Sequence, residues 1–394
     1  MATLKILFWT CVFIVFYTYL GYGILLWLLV SIKRIVGGRE RKQSLPVDDE
    51  LPDVTFLVCA YNEQDVVDMK VENTHQLDYP ASKLHLMWVT DGSSDDTNTR
   101  LSRYPDIEVV FSPERRGKTA ALNHGLSLVK SEITVMTDAN TMVNPEAIRE
   151  IVRCMQDPRV GCVAGEKRVI ARNEQQSAAQ GEGLYWRYES TLKRWDSELY
   201  SAMGAAGELN AIRTALYQPM PENALLDDFV MSMRTVDQGY RIAYCSDAYA
   251  MEYGSANLNE ESKRKRRIAA GGLQSCWWLR QMMNPFRRFV VAFQFVSHRV
   301  LRWTITPFAL MSLIPLNVAL VFMKSGFVYD LAWIVQLLFY LAAFAGYEAE
   351  RTGHHNKLLY VPYYFLFMNM NVFEGIRYLY THRNGGTWEK AKRG

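Results

Sequence analysis

Charged residues are absent from one long stretch near the start of this 394-residue chain. No Lys, Arg, Asp or Glu occurs between Lys5 and Lys33. That apolar run is longer than the about 20 residues that a helix needs to cross a bilayer. A secretory signal peptide fits poorly, because the run is too long and no small-residue cleavage site precedes "KRIVGGRERK". We therefore predict a transmembrane anchor over residues 1–35.

Several common binding motifs are absent as well. The first strand-like run ends in "CAYNEQD", which contains no glycine and so lacks the dinucleotide signature G-x-G-x-x-G. "GKT" at 117–119 ends like a P-loop, but Ser112 stands where the first glycine belongs. The six cysteines form no C-x-x-C pair. A net charge of +3 argues against a nucleic-acid binder, because the basic residues cluster beside the apolar segments.

A second apolar region fills the C-terminal third of the chain. Residues 303–323 and 331–347 are good candidate spans, whereas 358–373 is diluted by two asparagines and followed by a glutamate. We predict a C-terminal transmembrane bundle over 301–380 and a basic tail over 381–394. Whether the last segment crosses the membrane stays open, and with it the side on which the tail lies.

Basic residues flank the membrane segments and predict the orientation of the chain. "KRIVGGRERK" follows the first span and "KRKRR" (263–267) precedes the second. The positive-inside rule therefore places the intervening domain in the cytoplasm, with the protein multi-pass in the cell's inner membrane. Cysteines without a pairing pattern agree with a reducing compartment. Residues 272–300 alternate aromatics with arginines, which predicts amphipathic helices at the membrane interface.

The central part of the chain has the pattern of an α/β domain. Four β-rich apolar runs occur near 54–61, 83–91, 107–113 and 132–138, and helical stretches separate them. This predicts an open, mostly parallel sheet, in which ligands bind beyond the carboxyl ends of the strands. Polar residues stand at those ends, among them Asn62-Glu63, Asp91 and Asp138-Asn140.

Asp138 and Asn140 end the fourth of these runs in "MTDAN". Side chains alternate along a strand, so groups at i and i+2 point the same way. Such a pair can hold a cation or a sugar hydroxyl. A plain turn is the alternative, because Asp and Asn are common turn residues.

Five segments in order resemble one known family. "VCAYNE", "VTDGSSDDT", "RRGKTAALNHG", "MTDAN" and "LLDDFVMSMRTVDQGYRIAY" are similar to motifs of the membrane-bound family-2 inverting glycosyltransferases, which include hyaluronan, cellulose and poly-N-acetylglucosamine synthases. The resemblance implies a GT-A catalytic domain over about residues 50–270. It also implies a nucleotide-sugar donor, most often a UDP-sugar.

The resemblance assigns donor-site roles to individual residues. It implies that Asp91 holds the base and that Lys118 lies near the nucleotide. Asp138 and Asn140 match the family's D-x-D, which carries the donor diphosphate through Mg²⁺ or Mn²⁺. Asn140 replaces a carboxylate, and its amide oxygen can still ligate a hard cation, although it brings no charge. Two further residues are expected with Glu63 in the base and ribose pocket: Ala60 and Tyr61.

Asp227 and Asp228 in "LLDDF" match the family's T-E-D, with Asp228 in the position of the general base. An inverting transfer needs one carboxylate that takes the proton of the attacking hydroxyl. A neighbouring carboxylate, Asp227, raises the pKa of that base by like-charge repulsion. The alternative is structural, since two aspartates before an apolar helical run are typical of an N-cap.

The polymer-synthase signature Q-x-x-R-W matches only in part. Arg264 stands at the Gln position, Arg267 at the Arg and Ile268 at the Trp. Loss of the Trp removes a ring that would stack on an acceptor sugar. Arg267 is expected to neutralise the leaving diphosphate. The alternative is that the whole "KRKRR" cluster lies on anionic headgroups.

The resemblance implies a glycosyltransferase of the hexosyltransferase type, acting in exopolysaccharide or capsule synthesis on a saccharide or lipid-linked acceptor. Two alternatives remain: a single-sugar transferase acting on a polyprenyl-linked acceptor, and a non-catalytic subunit that binds nucleotide-sugar. "GLYWRYESTLKRW" (183–195) offers aromatic rings for stacking on sugars, but their helical spacing favours ordinary core.

Overall fold

The computed structural model describes residues 1–37, 43–170, 177–254, 258–352 and 356–381, without the side chains of 177–185 and 258. Of the predicted basic tail, residue 381 is described and the remainder lies outside the described residues. The chain begins with one continuous helix, formed by α1 (Ala2–Phe16), a π-helical turn (Tyr17–Gly21) and α2 (Tyr22–Gly37).

The first half of the central domain is a parallel sheet, as the sequence predicts. Its strands pair in the order β3-β2-β1-β4. Both faces of β1 are buried, with Phe56 and Val58 in one apolar cluster and Leu57 in another. Such two-sided burial explains the continuous apolar runs. The elements are β1 (Val54–Ala60), α3 (Val67–His75), β2 (Leu84–Asp91), α4 (Thr97–Leu101), β3 (Ile107–Ser112), α5 (Lys118–Leu128) and β4 (Ile133–Asp138).

The second half extends the same sheet to eight strands in the described residues, in the order β3-β2-β1-β4-β7-β6-β8-β5. Strand β7 runs antiparallel to both neighbours, and β5 runs antiparallel to β8, so the sheet is mixed. The predicted α/β class is confirmed. The elements are β5 (Met142–Val143), α6 (Ala147–Met155), β6 (Val160–Ile170), α7 (Ser177–Leu199), β7 (Asn210–Arg213), α8 (Asp227–Asp237) and β8 (Arg241–Tyr253).

The C-terminal part is helical. The predicted boundary at 270–272 falls inside α9, and the predicted interfacial stretch consists of the end of α9 and several short helices. Trp277, Phe286 and Phe289 are exposed along that stretch. The elements are α9 (Leu258–Trp278), a 3₁₀ turn (Arg280–Met283), α10 (Phe289–Phe295), a π-helical turn (Val296–Val300), α11 (Leu301–Trp303), α12 (Ile305–Phe322), α13 (Phe327–Arg351) and α14 (Lys357–Thr381).

Three of the described helices are long and apolar enough to cross a membrane: Ala2–Gly37, Ile305–Phe322 and Phe327–Arg351. Helix α14 is not one of them, and its contacts explain its polarity. Asn369 accepts a hydrogen bond from the Tyr19 hydroxyl at 2.7 Å, and Asn371 accepts one from Ser262 of α9 at 3.2 Å. The asparagines that weaken the apolar pattern therefore face other parts of the protein.

Helix α14 packs closely on α9. A Cβ at Gly375 would lie 2.8 Å from both Ala269 Cβ and the Ala270 backbone nitrogen, so only glycine permits this approach. The Tyr364 hydroxyl also donates to Glu261 of α9 at 3.1 Å. These contacts attach the last helix to α9, the helix that follows the sheet.

The N-terminal helix is held to the central domain through a buried carboxylate. Asp196 on α7 accepts hydrogen bonds from the Tyr22 hydroxyl, from Gln294 Nε2 at 2.9 Å, and pairs with His298 Nδ1 at 2.5 Å. Tyr22 and Asp196 are fully buried. A buried carboxylate costs several kcal/mol unless it is paired, so each of these donors is needed for stability.

We predict that Tyr22→Phe destabilises the protein by about 1–3 kcal/mol, because it removes one donor from the buried Asp196 carboxylate. A lower melting temperature of the full chain in detergent would show this loss. Tyr380→Phe is the matched control, since Tyr380 is exposed near the end of α14 and should melt like the wild type. Equal melting of both variants would contradict the assigned role of Tyr22.

Candidate active site

Asp91, at the carboxyl end of β2, fixes the loop that leads into α5. Its two carboxylate oxygens accept backbone hydrogen bonds from Arg116 at 2.8 Å and Gly117 at 2.7 Å. Gly117 has φ +100°, a conformation that favours glycine. This loop places Lys118 as the first residue of α5. The contacts of Asp91 are thus with the protein's own loop, and its predicted contact with a nucleotide base stays a prediction.

Lys118 lies between the C-terminal end of β4 and the N-terminal end of α8. Its Nζ lies 2.5 Å from Asp138 Oδ1 and 3.9 Å from Asp227 Oδ2. Burial disfavours the ammonium ion, but the negative charges of Asp138 and Asp227 outweigh that effect, so the pKa of Lys118 lies above its usual range. The lysine is therefore a permanent positive charge among carboxylates.

Asp227 and Asp228 form the first turn of α8, and Leu226 is the N-cap residue. Neither aspartate is therefore the N-cap residue, although both stand at the helix start that the structural alternative predicts. Asp228 Oδ1 accepts the backbone N–H of Phe229 at 2.8 Å. Burial and the neighbouring charge of Asp227 raise the pKa of Asp228 to about 7, against the lowering effect of Lys118.

Gly207 leaves open space where these charges meet. A Cβ on this glycine would lie 3.2 Å from Lys118 Nζ, 3.5 Å from Asp228 Oδ2 and 3.8 Å from Asp138 Oδ2. All three groups are therefore within reach of one small molecule at that point. A side chain at position 207 would occupy the space instead.

Asp138 and Asn140 do not share a strand face. Strand β4 ends at Asp138, and residues 139–140 form a turn, which corrects the expectation that the two side chains alternate in one strand. Asp138 contacts Lys118, whereas Asn140 Nδ2 lies 3.5 Å from Glu252 Oε1 on β8. Among the described residues no group of three or more His, Cys, Asp or Glu is placed to hold a metal.

These two residues still fit part of a divalent-cation site. Hard cations take carboxylate and amide oxygens. Asp138 offers a carboxylate, and Asn140, whose amide nitrogen contacts Glu252, offers an amide oxygen as a ligand. A cation bound here takes its remaining ligands from water or from a phosphate group.

The residues predicted for the base and ribose lie beside this centre. Ala60 closes β1 and is buried. The Arg115 guanidinium stacks on the Tyr61 ring at 3.9 Å, and the Glu63 backbone N–H donates to Thr97 Oγ1 at 2.8 Å. These contacts connect the loop that follows β1 to the segments that follow β3 and β2, respectively. The predicted residues thus gather at one edge of the sheet, as strand ends require.

One cavity contains most of the predicted catalytic residues. It is lined by Lys118, Asp138, Asp227, Asp228 and Arg267, together with Ile268 of the incomplete signature. Arg264 and Lys265 are buried and lie 3.5 Å from Glu208 and 3.3 Å from Glu261, respectively. The alternative that the whole basic cluster lies on headgroups is therefore wrong for these two residues.

Sequence reasoning missed several charged residues of this cavity. Glu208 is paired with Lys167 at 2.5 Å, and Lys167 also pairs with Glu252 at 2.5 Å. Lys167 and Arg264 hold the pKa of Glu208 below its usual range despite its burial. The available signal was a charged residue inside a β-rich run, as with Lys167 in β6 and Glu252 in β8, since buried charges need partners. The missed wall residues also include Glu189, Lys193, Arg299, Arg302 and Trp303, and Trp186, for which the helical spacing favours ordinary core, lines the cavity as well.

Comparisons with known proteins show the family to which the chain belongs. The sequence model described as "Glycosyltransferase like family 2" matches residues 52–271. Poly-beta-1,6-N-acetyl-D-glucosamine synthase of Staphylococcus aureus is 28% identical over 239 residues, which is 57% of this chain and 55% of that protein. A probable glycosyltransferase of Bacillus subtilis, YdaM, is 26% identical over 235 residues, 56% of each chain.

A solved structure shows the same fold over nearly the whole chain. The mannosyltransferase PcManGT from Pyrobaculum calidifontis, in complex with GDP-Man and Mn²⁺, superposes with a TM-score of 0.72 at 21% identity, covering 97% of this chain and 100% of that one. The present chain spans only about half the length of the curated relatives that it matches. Because its sequence identity to this chain is only 21%, the likeness to PcManGT concerns the fold.

Proposed function

Since this chain belongs to the glycosyltransferase-like family 2, we propose that it transfers a sugar from a nucleotide-sugar donor with inversion, using Asp228 as general base. The observation that carries this proposal is the Asp228 carboxyl itself. It faces the cavity beside Lys118 and has a pKa raised to about 7. A base is most effective when its pKa is near the working pH.

The proposed step balances with the residues at hand. An acceptor hydroxyl attacks the anomeric carbon, and its proton passes to the Asp228 carboxylate. The new glycosidic C–O bond forms as the bond from the anomeric carbon to the diphosphate breaks. The nucleoside diphosphate leaves with that electron pair, and the cations Lys118 and Arg267 stabilise its charge. Asp227 acts on its neighbour, keeping the base poised through like-charge repulsion.

The donor would lie across the carboxyl ends of β1, β2 and β4. We assign Tyr61, Glu63 and Asp91, with Ala60, to the base and ribose end, because they surround the loops after β1 and β2. Asp138 and Asn140 would hold Mg²⁺ or Mn²⁺ against the diphosphate, and this cation supplies charge neutralisation of the leaving group when bound. PcManGT was solved with Mn²⁺, which supports the assignment.

Two forms of the activity remain in competition. Similarity to a polysaccharide synthase favours a polymer product, whereas Ile268 removes the stacking ring of the synthase signature. Trp186 and Trp303 line the same cavity and offer other rings. A non-catalytic subunit is disfavoured, because a dead site has no need to place Asp227 beside Asp228 at an electrostatic cost.

We propose that the catalytic domain faces the cytoplasm. In this proposal both candidate spans that follow the domain cross the membrane, so that the chain returns to the domain's side at α14, which contacts α9. This arrangement places the end of α14 on the domain's side, with no need for a further crossing. It also agrees with the positive charge of the sequence after Tyr380.

We predict that Asp228→Asn folds and binds nucleotide-sugar but loses transfer by about 10²–10⁴-fold, as expected for removal of a general base. Asn keeps the size of the side chain and cannot accept the proton. Donor affinity and product formation should be measured on the same preparation with a panel of UDP- and GDP-sugars. Retained turnover would end the assignment of Asp228 as base.

We predict that kcat/KM rises with pH through about 7, because the base works only when Asp228 is deprotonated. Asp227→Asn removes the neighbouring negative charge and should move this rising limb toward lower pH by roughly one unit. Asp237→Asn, at the other end of α8, is the control and should leave the limb in place. A limb that is the same in all three proteins would contradict coupling between the two aspartates.

We predict that EDTA abolishes transfer and that added Mn²⁺ or Mg²⁺ restores it. Asp138→Ala should weaken donor binding in the presence of the metal, whereas Asn140→Asp should keep activity or change the preferred metal, since it adds a carboxylate oxygen. Donor binding by calorimetry with and without metal gives a readout independent of turnover. Full activity in EDTA would remove the cation from the reaction.

A further inference from the structure

Helix α3 carries a lysine on the face that it buries against the sheet. The buried residues of this helix are Val67, Lys70, Val71 and Thr74. Lys70 is completely buried, and among the described residues no carboxylate forms an ion pair with it. Lysines are almost never fully buried unless they are paired. The lysine at this position therefore requires an explanation.

The amine of Lys70 contacts both ends of the turn that carries the two proposed cation ligands. Its Nζ donates to the Thr141 carbonyl oxygen at 2.6 Å and to Thr137 Oγ1 at 3.2 Å. The two threonines immediately flank the segment Asp138–Asn140. One buried side chain thus fixes this segment from both sides.

The same threonines connect the turn to the segment opposite. The Thr137 hydroxyl donates to the Glu208 carbonyl oxygen at 2.8 Å, and the Thr141 hydroxyl donates to the Asp138 carbonyl oxygen at 2.9 Å. Glu208 follows Gly207, beside which the charged groups of the site meet. Through Thr137, the lysine therefore holds two walls of the site in a fixed relation.

Helix α3 also supports the strand that follows the turn. Asn73 donates from Nδ2 to the Val143 carbonyl oxygen and accepts the Val143 backbone N–H, both at 2.8 Å. Lys70 and Asn73 are neighbours on the helix surface, since they are three residues apart. Neither of them lines the catalytic cavity. The helix thus holds residues 137–143 from outside the cavity.

These hydrogen bonds do not depend on the charge of the lysine. Burial lowers the pKa of Lys70 to about 7, and the charge of Asp138 acts in the opposite direction. Both the ammonium and the neutral amine carry enough N–H donors for the two contacts. An apolar residue would avoid the cost of burying a cation, but it would leave the Thr141 carbonyl without this donor. What the lysine provides is the geometry of the turn.

We propose that Lys70 is a positioning residue for the donor-bound cation, because it holds the turn in which Asp138 and Asn140 present their oxygens to one ion. This inference rests on the proposed glycosyl transfer and its use of Mg²⁺ or Mn²⁺. Lys70 touches neither the cation nor the substrate. It acts on the affinity for the cation and the nucleoside diphosphate, and not on the transfer step.

The test compares Lys70→Met with the wild type, as full chains in detergent, with Mn²⁺ alone and Mn²⁺ with UDP or GDP as probes. Met keeps the length of the side chain and removes its donors. Calorimetry and the EPR signal of free Mn²⁺ should show binding weakened by about ten-fold, the loss expected for a hydrogen bond from a charged group. At saturating Mn²⁺ and sugar nucleotide, kcat should return to within about three-fold of the wild type.

Lys83→Met is the matched control. Lys83 also donates to two backbone carbonyls, those of Asp49 at 2.5 Å and Leu51 at 2.6 Å. It precedes β2, at the end of the strand away from the site. This variant should bind Mn²⁺ and nucleotides like the wild type, even if it melts at a lower temperature. Equally weakened binding in both lysine variants would show a general loss of stability and overturn the specific role.

Two further variants separate positioning from folding. Thr137→Val removes the hydroxyl between Lys70 and Glu208, so its effect on Mn²⁺ binding and that of Lys70→Met should not add in the double variant. Additive effects would contradict a shared action through the turn. Lys70→Gln keeps N–H donors without the charge and should lose less Mn²⁺ affinity than Lys70→Met. It also keeps the test available if Lys70→Met does not fold, and an equal loss in both variants would contradict the role of the hydrogen bonds.

The outcomes distinguish this inference from the proposed function. Unchanged Mn²⁺ and nucleotide binding in Lys70→Met, beside a wild type that transfers sugar, would overturn the role of Lys70 alone. If the wild type binds Mn²⁺ with UDP or GDP and Lys70→Met loses this binding, but no sugar is transferred, the proposed function fails and the role of Lys70 remains. A wild type that binds no Mn²⁺ with either nucleotide would overturn both.

Discussion

The candidate site depends on one electrostatic constraint: three carboxylates converge on a single lysine. Lys118 contacts Asp138 directly and lies 3.9 Å from Asp227, with Asp228 at the same open point beside Gly207. One positive charge cannot fully offset three negative ones. Desolvation and the neighbouring charge of Asp227 disfavour the ionised form of Asp228, and the pKa of this carboxyl rises. Because negative charge exceeds positive charge at this point, a divalent cation bound together with the donor would be stabilised there.

Other charged residues around this site are paired with one another, so the excess of negative charge is confined to the carboxylates around Lys118. Lys167 pairs with Glu208 and Glu252, so Glu208 stays ionised in the cavity wall. Asn140 extends that chain through its contact with Glu252. A carboxylate at position 140 would approach Glu252 with like charge, which gives a physical reason for an amide there.

The sequence predicts the elements that depend on residues close together in the chain. Continuous apolar runs predicted β1 to β4, and polar residues at strand ends predicted where Asp91 and Asp138 lie, because parallel strands bring those ends together. It was insufficient where partners are distant in the chain. Strand β7 has four residues, too few for a periodic signal, and the partners of Glu189 follow it by about a hundred residues.

The asparagines of helix α14 lower its hydropathy and argue against a membrane span. In the structure they accept hydrogen bonds from Tyr19 and from Ser262 of α9. Polar side chains inside a membrane-associated bundle are retained where they bond to other helices. The same helix forms part of the wall of the cavity that contains Asp228. This wall brings the membrane-facing side of the protein within reach of Asp228.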